Sequence, residues 1–325
     1  MLMHDLSSST SRPFSGLKAK RLGRELAAAI GLSALAAFGF AGDLRPGSFI
    51  ATAHAQSADR IVAAGGVVTE VLYALGLQDK VVGVDTTSQW PPEALKEKKS
   101  VGYVRALSAE GVLSLKPSQI IAVEGAGPPD ALALLKESGT PITMIPEALS
   151  PEAVVGKIAA IGKAAGAAEP AQQLAASVKI RFDELAKLRT GLPGQKRVLF
   201  VLSLQNGRTM VGGRNSTADA IITLAGGVNA ADAVEGFKPM TDEAIITAAP
   251  DVVLMMRFSS AHNATPEEVF AMPAFSQTPA AKQKSLIRMD GLYLLGFGPR
   301  TPNAARDLMA ELYPDAKIAQ LSAAK

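Results

Sequence analysis

Short apolar runs alternate with helical patterns along most of this chain, and the alternation breaks off only once. Residues 61–64 (IVAA), 80–85 (KVVGVD), 119–123 (QIIAV) and 141–145 (PITMI) read as buried strands. Helical patterns at 69–77, 108–115 and 130–138 separate them, with Gly76 stopping the first and Ser108 placed to cap the second. Such spacing predicts a parallel, doubly wound sheet. From residue 150 to 190 the strand pattern disappears. Residues 151–165 read as helix, and Pro170 opens a second one, because its missing N–H costs little in a first turn. Leu174, Val178, Phe182, Leu185 and Leu188 fall along one face of that helix, which runs for about five turns to the GLPG at 191–194. The alternation then resumes. Strands are expected at 197–202 (RVLFVL), 251–256 (DVVLMM) and 286–289, and helices at 216–225, 242–248 and 303–312. The predicted fold class is therefore two doubly wound α/β lobes, 56–149 and 195–325, joined by long linking helices over 150–194.

The first 55 residues follow a different logic. Arg12, Lys18, Lys20, Arg21, Arg24 and Arg45 stand there against Asp5, Glu25 and Asp43. This imbalance holds the whole excess of 33 basic over 30 acidic residues, so the remainder is neutral. A basic stretch at 17–24 precedes an uncharged run of 17 residues, Leu26 to Gly42, and Ala53-His54-Ala55 fits a small-x-small cleavage site. That order is the order of a secretory signal. Seventeen Ala- and Gly-rich residues sit at the lower limit of the ~17–25 that span a bilayer, so a cleaved signal is preferred to an anchor. The expectation is a periplasmic protein cut after Ala55 and starting at Gln56. The chain contains no Cys, which excludes disulfides, a thiol nucleophile, Fe–S clusters and a lipid anchor on cysteine.

The two lobes contain a faint repeat. Residues 107–123 (LSAEGVLSLKPSQIIAV) and 240–256 (MTDEAIITAAPDVVLMM) align without gaps, placing Glu110 on Glu243 and Pro117 on Pro250. Both are helix–Pro–strand units.

The stretches GYVRALSAEGVLSLKP (102–117), LAGGVNA (224–230), FKPMTDEAII (237–246), APDVVLM (249–255), TPAAKQ (278–283) and MDGLYLLGFGPRT (289–301) carry a family likeness. In them the chain resembles the periplasmic haem-binding proteins of bacterial haem importers, within the helix-linked solute-binding proteins. The Y-x-R-x-L-S-A-E string at 103–110 is the most specific part. The resemblance implies a protein that takes haem b as its cargo in an interlobe cleft. It implies delivery to an inner-membrane ABC permease dimer with its ATPase, supplied indirectly by an outer-membrane haem uptake system. The protein would be a monomer and not an enzyme. A ferric siderophore or cobalamin is the alternative cargo.

Tyr103 is the candidate iron ligand, in a loop opened by Gly102 just before a helix. A phenolate is a hard oxygen donor suited to ferric haem. Free phenols ionise near pH ~10, so ligation draws on the iron's charge. Arg105, two residues on, is placed to add positive charge and a hydrogen bond. The resemblance assigns the same two roles to this Tyr and Arg. Some relatives add a His from the loop after the second lobe's first strand; here that loop, 203–207, contains none. His262 is the one His after residue 55 and reads as an exposed loop residue, which leaves Tyr103 as the sole protein ligand. Arg257 follows the strand 251–256, at the end where ligands gather in such sheets, and is a candidate propionate contact. Met255 and Met256 read as core. Arg300, in GFGPRT, is assigned a structural role. The resemblance further places Glu110 and Glu243 as the docking carboxylates, one per lobe, that engage Arg pockets on the permease. Each lies near a helix N-terminus, which favours a carboxylate.

Other classes fit less well. No G-x-G-x-x-G or Walker sequence follows a strand, although Gly65-Gly66 and Gly212-Gly213 are glycine pairs of the kind a phosphate loop uses. A Ser–His–Asp triad would depend on His262 alone. A neutral chain after residue 55, without a basic stripe, excludes nucleic acid as partner. The long linking helix predicts a stiff joint and small lobe motions.

Overall fold

A computed structural model describes residues 59–147, 149–205, 208–257 and 264–323. The signal segment and cleavage site expected at 1–55, and His262, lie outside the described residues.

The first lobe begins with β1 (Ile61–Ala64), α1 (Gly66–Ala74), β2 (Val81–Val84), α2 (Glu93–Glu97) and β3 (Lys99–Ser100). A small hairpin, β4 (Gly102–Tyr103) and β5 (Ala106–Leu107), leads into α3 (Ala109–Ser114), β6 (Gln119–Val123), α4 (Pro129–Glu137) and β7 (Ile142–Ile145). The sheet is ordered β3-β2-β1-β6-β7 and every pairing in it is parallel. Next come α5 (Pro151–Ala164) and α6 (Ala168–Thr190), the latter 23 residues and about 34 Å long.

The second lobe contains β8 (Arg197–Gln205), β9 (Arg208–Gly212), α7 (Thr217–Leu224), β10 (Val228–Asn229), β11 (Phe237–Met240), α8 (Asp242–Ala248) and β12 (Val252–Arg257). It closes with α9 (Pro266–Ala271), α10 (Pro273–Ser276), α11 (Pro279–Gln283), β13 (Leu286–Asp290), α12 (Gly291–Leu295) and α13 (Thr301–Leu312). Its sheet runs β11-β9-β8-β12-β13, with β10 also on β8. The β8, β10, β12 and β13 pairings are parallel, whereas β9 is antiparallel to both neighbours.

The α/β class and the two sheets agree with the sequence reading, and several details correct it. The second sheet is mixed, because the first strand turns back through β9 and β11. Helix α1 starts at Gly66, and α6 starts two residues before Pro170, which keeps Pro170 within the first turn. Ser108 caps α3 as expected, accepting from the Gly111 N–H at 3.0 Å. Tyr103 sits in a hairpin strand and not in an open loop.

Strand residues alternate between two environments, as a period of two requires. Ile61 and Ala63, Val198 and Phe200, and Val252 and Leu254 all enter one continuous core with α1, α5, α6, α7 and α13. Val62 and Ala64 pack instead into a core confined to the first lobe. Leu199, Val201, Val253 and Met255 pack into one confined to the second. The lobes thus share their largest apolar cluster through the linking helices. Close approach of those helices is set by Gly162, which leaves no room for a Cβ against Ala171.

The glycine pairs have packing roles. The N–H groups of Gly65 and Gly66 donate to Asp85 Oδ1 at 2.7 Å and Thr87 Oγ1 at 2.9 Å. Gly213 donates to the Gly236 carbonyl at 2.8 Å and is pressed against Val234. All three N–H groups are taken up by acceptors within the protein.

Candidate functional site

The hairpin that carries Tyr103 is fastened to the C-terminal edge of the first sheet, the edge where doubly wound sheets bind ligands. Val101 N–H donates to the Val84 carbonyl and Thr86 N–H to the Gly102 carbonyl, each at 2.9 Å. On the other side Leu107 N–H donates to the Gly127 carbonyl at 2.7 Å, and Gly127 N–H to the Val104 carbonyl at 2.9 Å. Gly102 takes φ +95°, a backbone conformation that a side chain would strain. Val104 is buried beneath the hairpin, while Tyr103 is 49% exposed and Arg105 is exposed.

Two cavities meet at Tyr103. One, of about 520 Å³, is lined by Thr87 and Gln89 from the first lobe and by Met256, Arg257, Asp290 and Leu292 from the second. The other, of about 570 Å³, is lined by Arg105, Glu147 and Leu149 on one side and by Leu202, Asn215 and Phe237 on the other. Tyr103 and Leu295 belong to both. Each compartment thus holds one of the two predicted arginines. Arg105 and Tyr103 share the second, Arg257 and Tyr103 share the first, and the arginines do not share a compartment. Arg257 stands at the end of β12, where its Nη2 donates to the Arg288 carbonyl at 3.2 Å.

Large apolar side chains stand exposed among the polar ones in these walls. Tyr103, Leu149 and Phe237 are three of the large exposed hydrophobic side chains of the chain, and all three face the second compartment. Exposed apolar residues clustered at a cleft mark a ligand with an apolar face of its own. Met255 is buried as expected, whereas Met256 packs against the shared core and also reaches the cavity wall.

Polar groups around the cleft are held in place. Asp85 is fully buried and accepts four hydrogen bonds. They come from Gly65 N–H at 2.7 Å, Thr87 N–H at 2.9 Å, Thr87 Oγ1 at 2.7 Å and Ser88 Oγ at 3.1 Å. This network fixes Thr87 in the cavity wall. Glu147 receives a backbone tether, its N–H donating to Glu124 Oε2 at 3.2 Å, and lies 4.0 Å from the buried Nζ of Lys157. Burial pushes the Lys157 amine below its ordinary range, and Glu147 partly offsets this.

Glu110 and Glu243 are both exposed in the first turns of α3 and α8, away from the cavity linings. Both helices have a side-chain cap, Ser108 for one and Thr241 for the other.

Sequence reasoning missed Thr87, Gln89, Glu147, Leu149, Phe237, Asp290, Leu292 and Leu295 as cavity residues. The signal for Phe237 and for the last three was present, since FKPMTDEAII and MDGLYLLG carry parts of the family likeness. Among the described residues no three His, Asp or Glu side chains converge as a metal site.

Two α/β lobes with a cavity between them and a helical connection define a solute-binding protein of the helix-linked type. The chain belongs to the periplasmic binding protein family, whose sequence pattern matches residues 61–292. It is 30% identical over 250 residues to the uncharacterized ABC transporter substrate-binding lipoprotein YvrC of Bacillus subtilis (strain 168), across 76% of this chain and 77% of that protein. The periplasmic heme-binding protein RhuT from Roseiflexus sp. RS-1 in apo form superposes with a TM-score of 0.76 at 38% identity, over 80% of this chain and all of that one. The periplasmic heme-binding protein BhuT in complex with two hemes gives a TM-score of 0.73 at 37% identity, over 79% of this chain and 98% of that one.

Proposed function

We propose that this chain is the haem-carrying component of an ABC importer, with Tyr103 as the protein ligand to ferric haem. The carrying observation is a half-exposed phenol on a rigidly tethered hairpin, at the junction of two apolar compartments with one arginine in each. Porphyrin needs an apolar slot, its propionates need cations, and its iron accepts a phenolate. Arg105 is the hydrogen-bonding partner of the ligand phenolate, and Arg257 the propionate contact. The similarity to heme-binding RhuT and BhuT supports the same cargo here.

The family places the chain among exported proteins; cleavage after Ala55 and release into the periplasm are the finer reading. Within it, residues 56–149 and 195–325 form the lobes, and 150–194 the joint. The continuous apolar core through that joint supports small lobe motions on loading. Glu110 and Glu243 are the carboxylates that dock each lobe on the permease.

Haemin titration tests the cargo. A shifted Soret band that saturates with the unaltered protein and is lost in Tyr103→Ala is the expected result. No shift with haemin, together with uptake of cobalamin or a ferric siderophore, would sink the haem reading. A six-coordinate Tyr/His spectrum abolished by His262→Ala would overturn Tyr103 as sole protein ligand.

A further inference from the structure

Beneath the first compartment the two lobes are pinned through Arg300, in the turn that leads into α13. Its Nη2 donates to Glu70 Oε2 at 2.8 Å, and its backbone N–H donates to Glu70 Oε1 at 3.3 Å. Glu70 is buried on α1 of the other lobe. The guanidinium carbon also stands 4.4 Å from the ring centroid of Trp90 and 5.2 Å from that of Tyr293, both within cation–π range. Tyr293 is held in turn, its hydroxyl donating to Asp307 Oδ2 at 2.8 Å. Burial raises the Tyr293 phenol above its ordinary range, and the bond to Asp307 raises it further.

Each ring next to Arg300 is one residue along from a cavity wall. Gln89 precedes Trp90, and Leu292 precedes Tyr293; both preceding residues line the first compartment. A glycine of each lobe also lets a side chain of the other lobe approach its backbone closely. A Cβ on Gly66 would meet Leu292 Cδ1 at 2.8 Å, and one on Gly298 would meet Val67 Cγ2 at 2.8 Å. The segment from Thr87 to Trp90 is therefore fastened at one end by the buried Asp85 and at the other by the Arg300 guanidinium. Gln89 lies between these two fastenings and lines the same cavity as Tyr103. Trp90 is 43% exposed, too open for apolar burial alone to hold its ring.

We propose that Arg300 is a positioning residue of the binding cavity. Clamped by the Trp90 and Tyr293 rings and paired with Glu70, it sets the Thr87–Trp90 wall of one lobe against Leu292 of the other, and so the width of the slot that Tyr103 faces. The proposal rests on the haem reading only for its last readout. Lysine at this position would keep the charge for Glu70 but lose the planar group that stacks on the rings.

The chain has one Trp, so its fluorescence reports on this wall directly, with no ligand needed. In full-length protein, Arg300→Lys should red-shift Trp90 emission and raise acrylamide quenching while the thermal midpoint moves by only a few degrees. Haemin release should become roughly threefold to tenfold faster, which is the scale of a lost cation–ring contact. Trp90→Leu should speed release to a similar degree, and the double variant should add little, because both remove the same contact. Unchanged emission and unchanged release in Arg300→Lys would overturn the proposal, as would effects of the two substitutions that simply multiply. Should Arg300→Lys lower the thermal midpoint steeply, Trp90→Leu, at its half-exposed site, decides the question by its release rate. No haemin uptake by the unaltered protein would count against the haem reading, and the emission and quenching results would still decide the role of Arg300.

Discussion

Replacing Asp85 with Asn tests how far the cavity wall depends on one buried carboxylate. Asp85 has no exposed surface, and its two oxygens accept four hydrogen bonds. Oδ2 takes both the Thr87 N–H and the Thr87 hydroxyl, while Oδ1 takes Gly65 N–H and the Ser88 hydroxyl. An amide offers only one accepting atom. Whichever way it is turned, one backbone N–H and one hydroxyl face an NH2 group. The hydroxyl can rotate to another acceptor, but the backbone N–H cannot. Hydrogen bonds to charged groups contribute ~1.5–3 kcal/mol each, and an orphaned buried donor costs ~1–3 kcal/mol. Allowing for the hydroxyl's rotation, Asp85→Asn should destabilise by about 2–4 kcal/mol. Because the lobes share a continuous core, urea unfolding is expected as one transition, and the loss should appear as a lower midpoint at unchanged slope. The same variant should weaken haemin binding, since Thr87 lines the cavity. A midpoint corresponding to a loss under about 0.5 kcal/mol, the scale of an ordinary surface substitution, would refute the reasoning.

Three further outcomes follow. Glu110→Lys with Glu243→Lys should leave the haemin titration unchanged and abolish haem-dependent growth; growth that survives would end the docking assignment. Gly162→Leu should wedge α5 from α6 and lower stability by about 1–3 kcal/mol in a thermal melt, and an unchanged melt would mean that the helices can separate freely. Lys157→Met should stabilise at neutral pH by about 1 kcal/mol or more, because its amine is buried and its partner Glu147 is solvent-exposed and screened. The pH sign follows from the lowered folded-state value. The unfolded amine binds its proton up to about 10.5 while the folded one releases it earlier, so stability rises with pH across that alkaline window. Lys157→Met should flatten that rise, and a lower midpoint at pH 7 would contradict the argument.

The central strands were legible because they are almost wholly apolar and bounded by Gly or Pro. Residues 61–64, 119–123 and 251–256 are of this kind, and each appears as a strand within a residue of its expected bounds. β11 was not legible. Its residues FKPM include a proline and three exposed positions, and only pairing with β9 makes them a strand. The hairpin around Tyr103 is too short for any periodicity; its geometry comes from Gly102 and from hydrogen bonds to Val84 and Gly127, which are distant in sequence. Tyr103 and Arg105 were found through their motif. Leu292, Leu295 and Phe237 look like core residues in the sequence, and only the meeting of two lobes leaves them on a cavity wall. Arg300 was read as structural, but nothing in its own segment names Trp90 or Glu70 as partners.

The alternation of strand residues between a shared core and two private ones has a consequence for tolerance to change. On β1, β8 and β12 the parity of a position decides how far a substitution is felt. A cavity at Val62, Leu199 or Val253 can relax within its own lobe. One at Ile61, Phe200 or Leu254 opens into the cluster that runs through both lobes and the linking helices, and so disturbs how they seat on each other. Packing at even-numbered β1 and odd-numbered β8 and β12 positions can therefore drift within one lobe while the geometry between the lobes stays fixed.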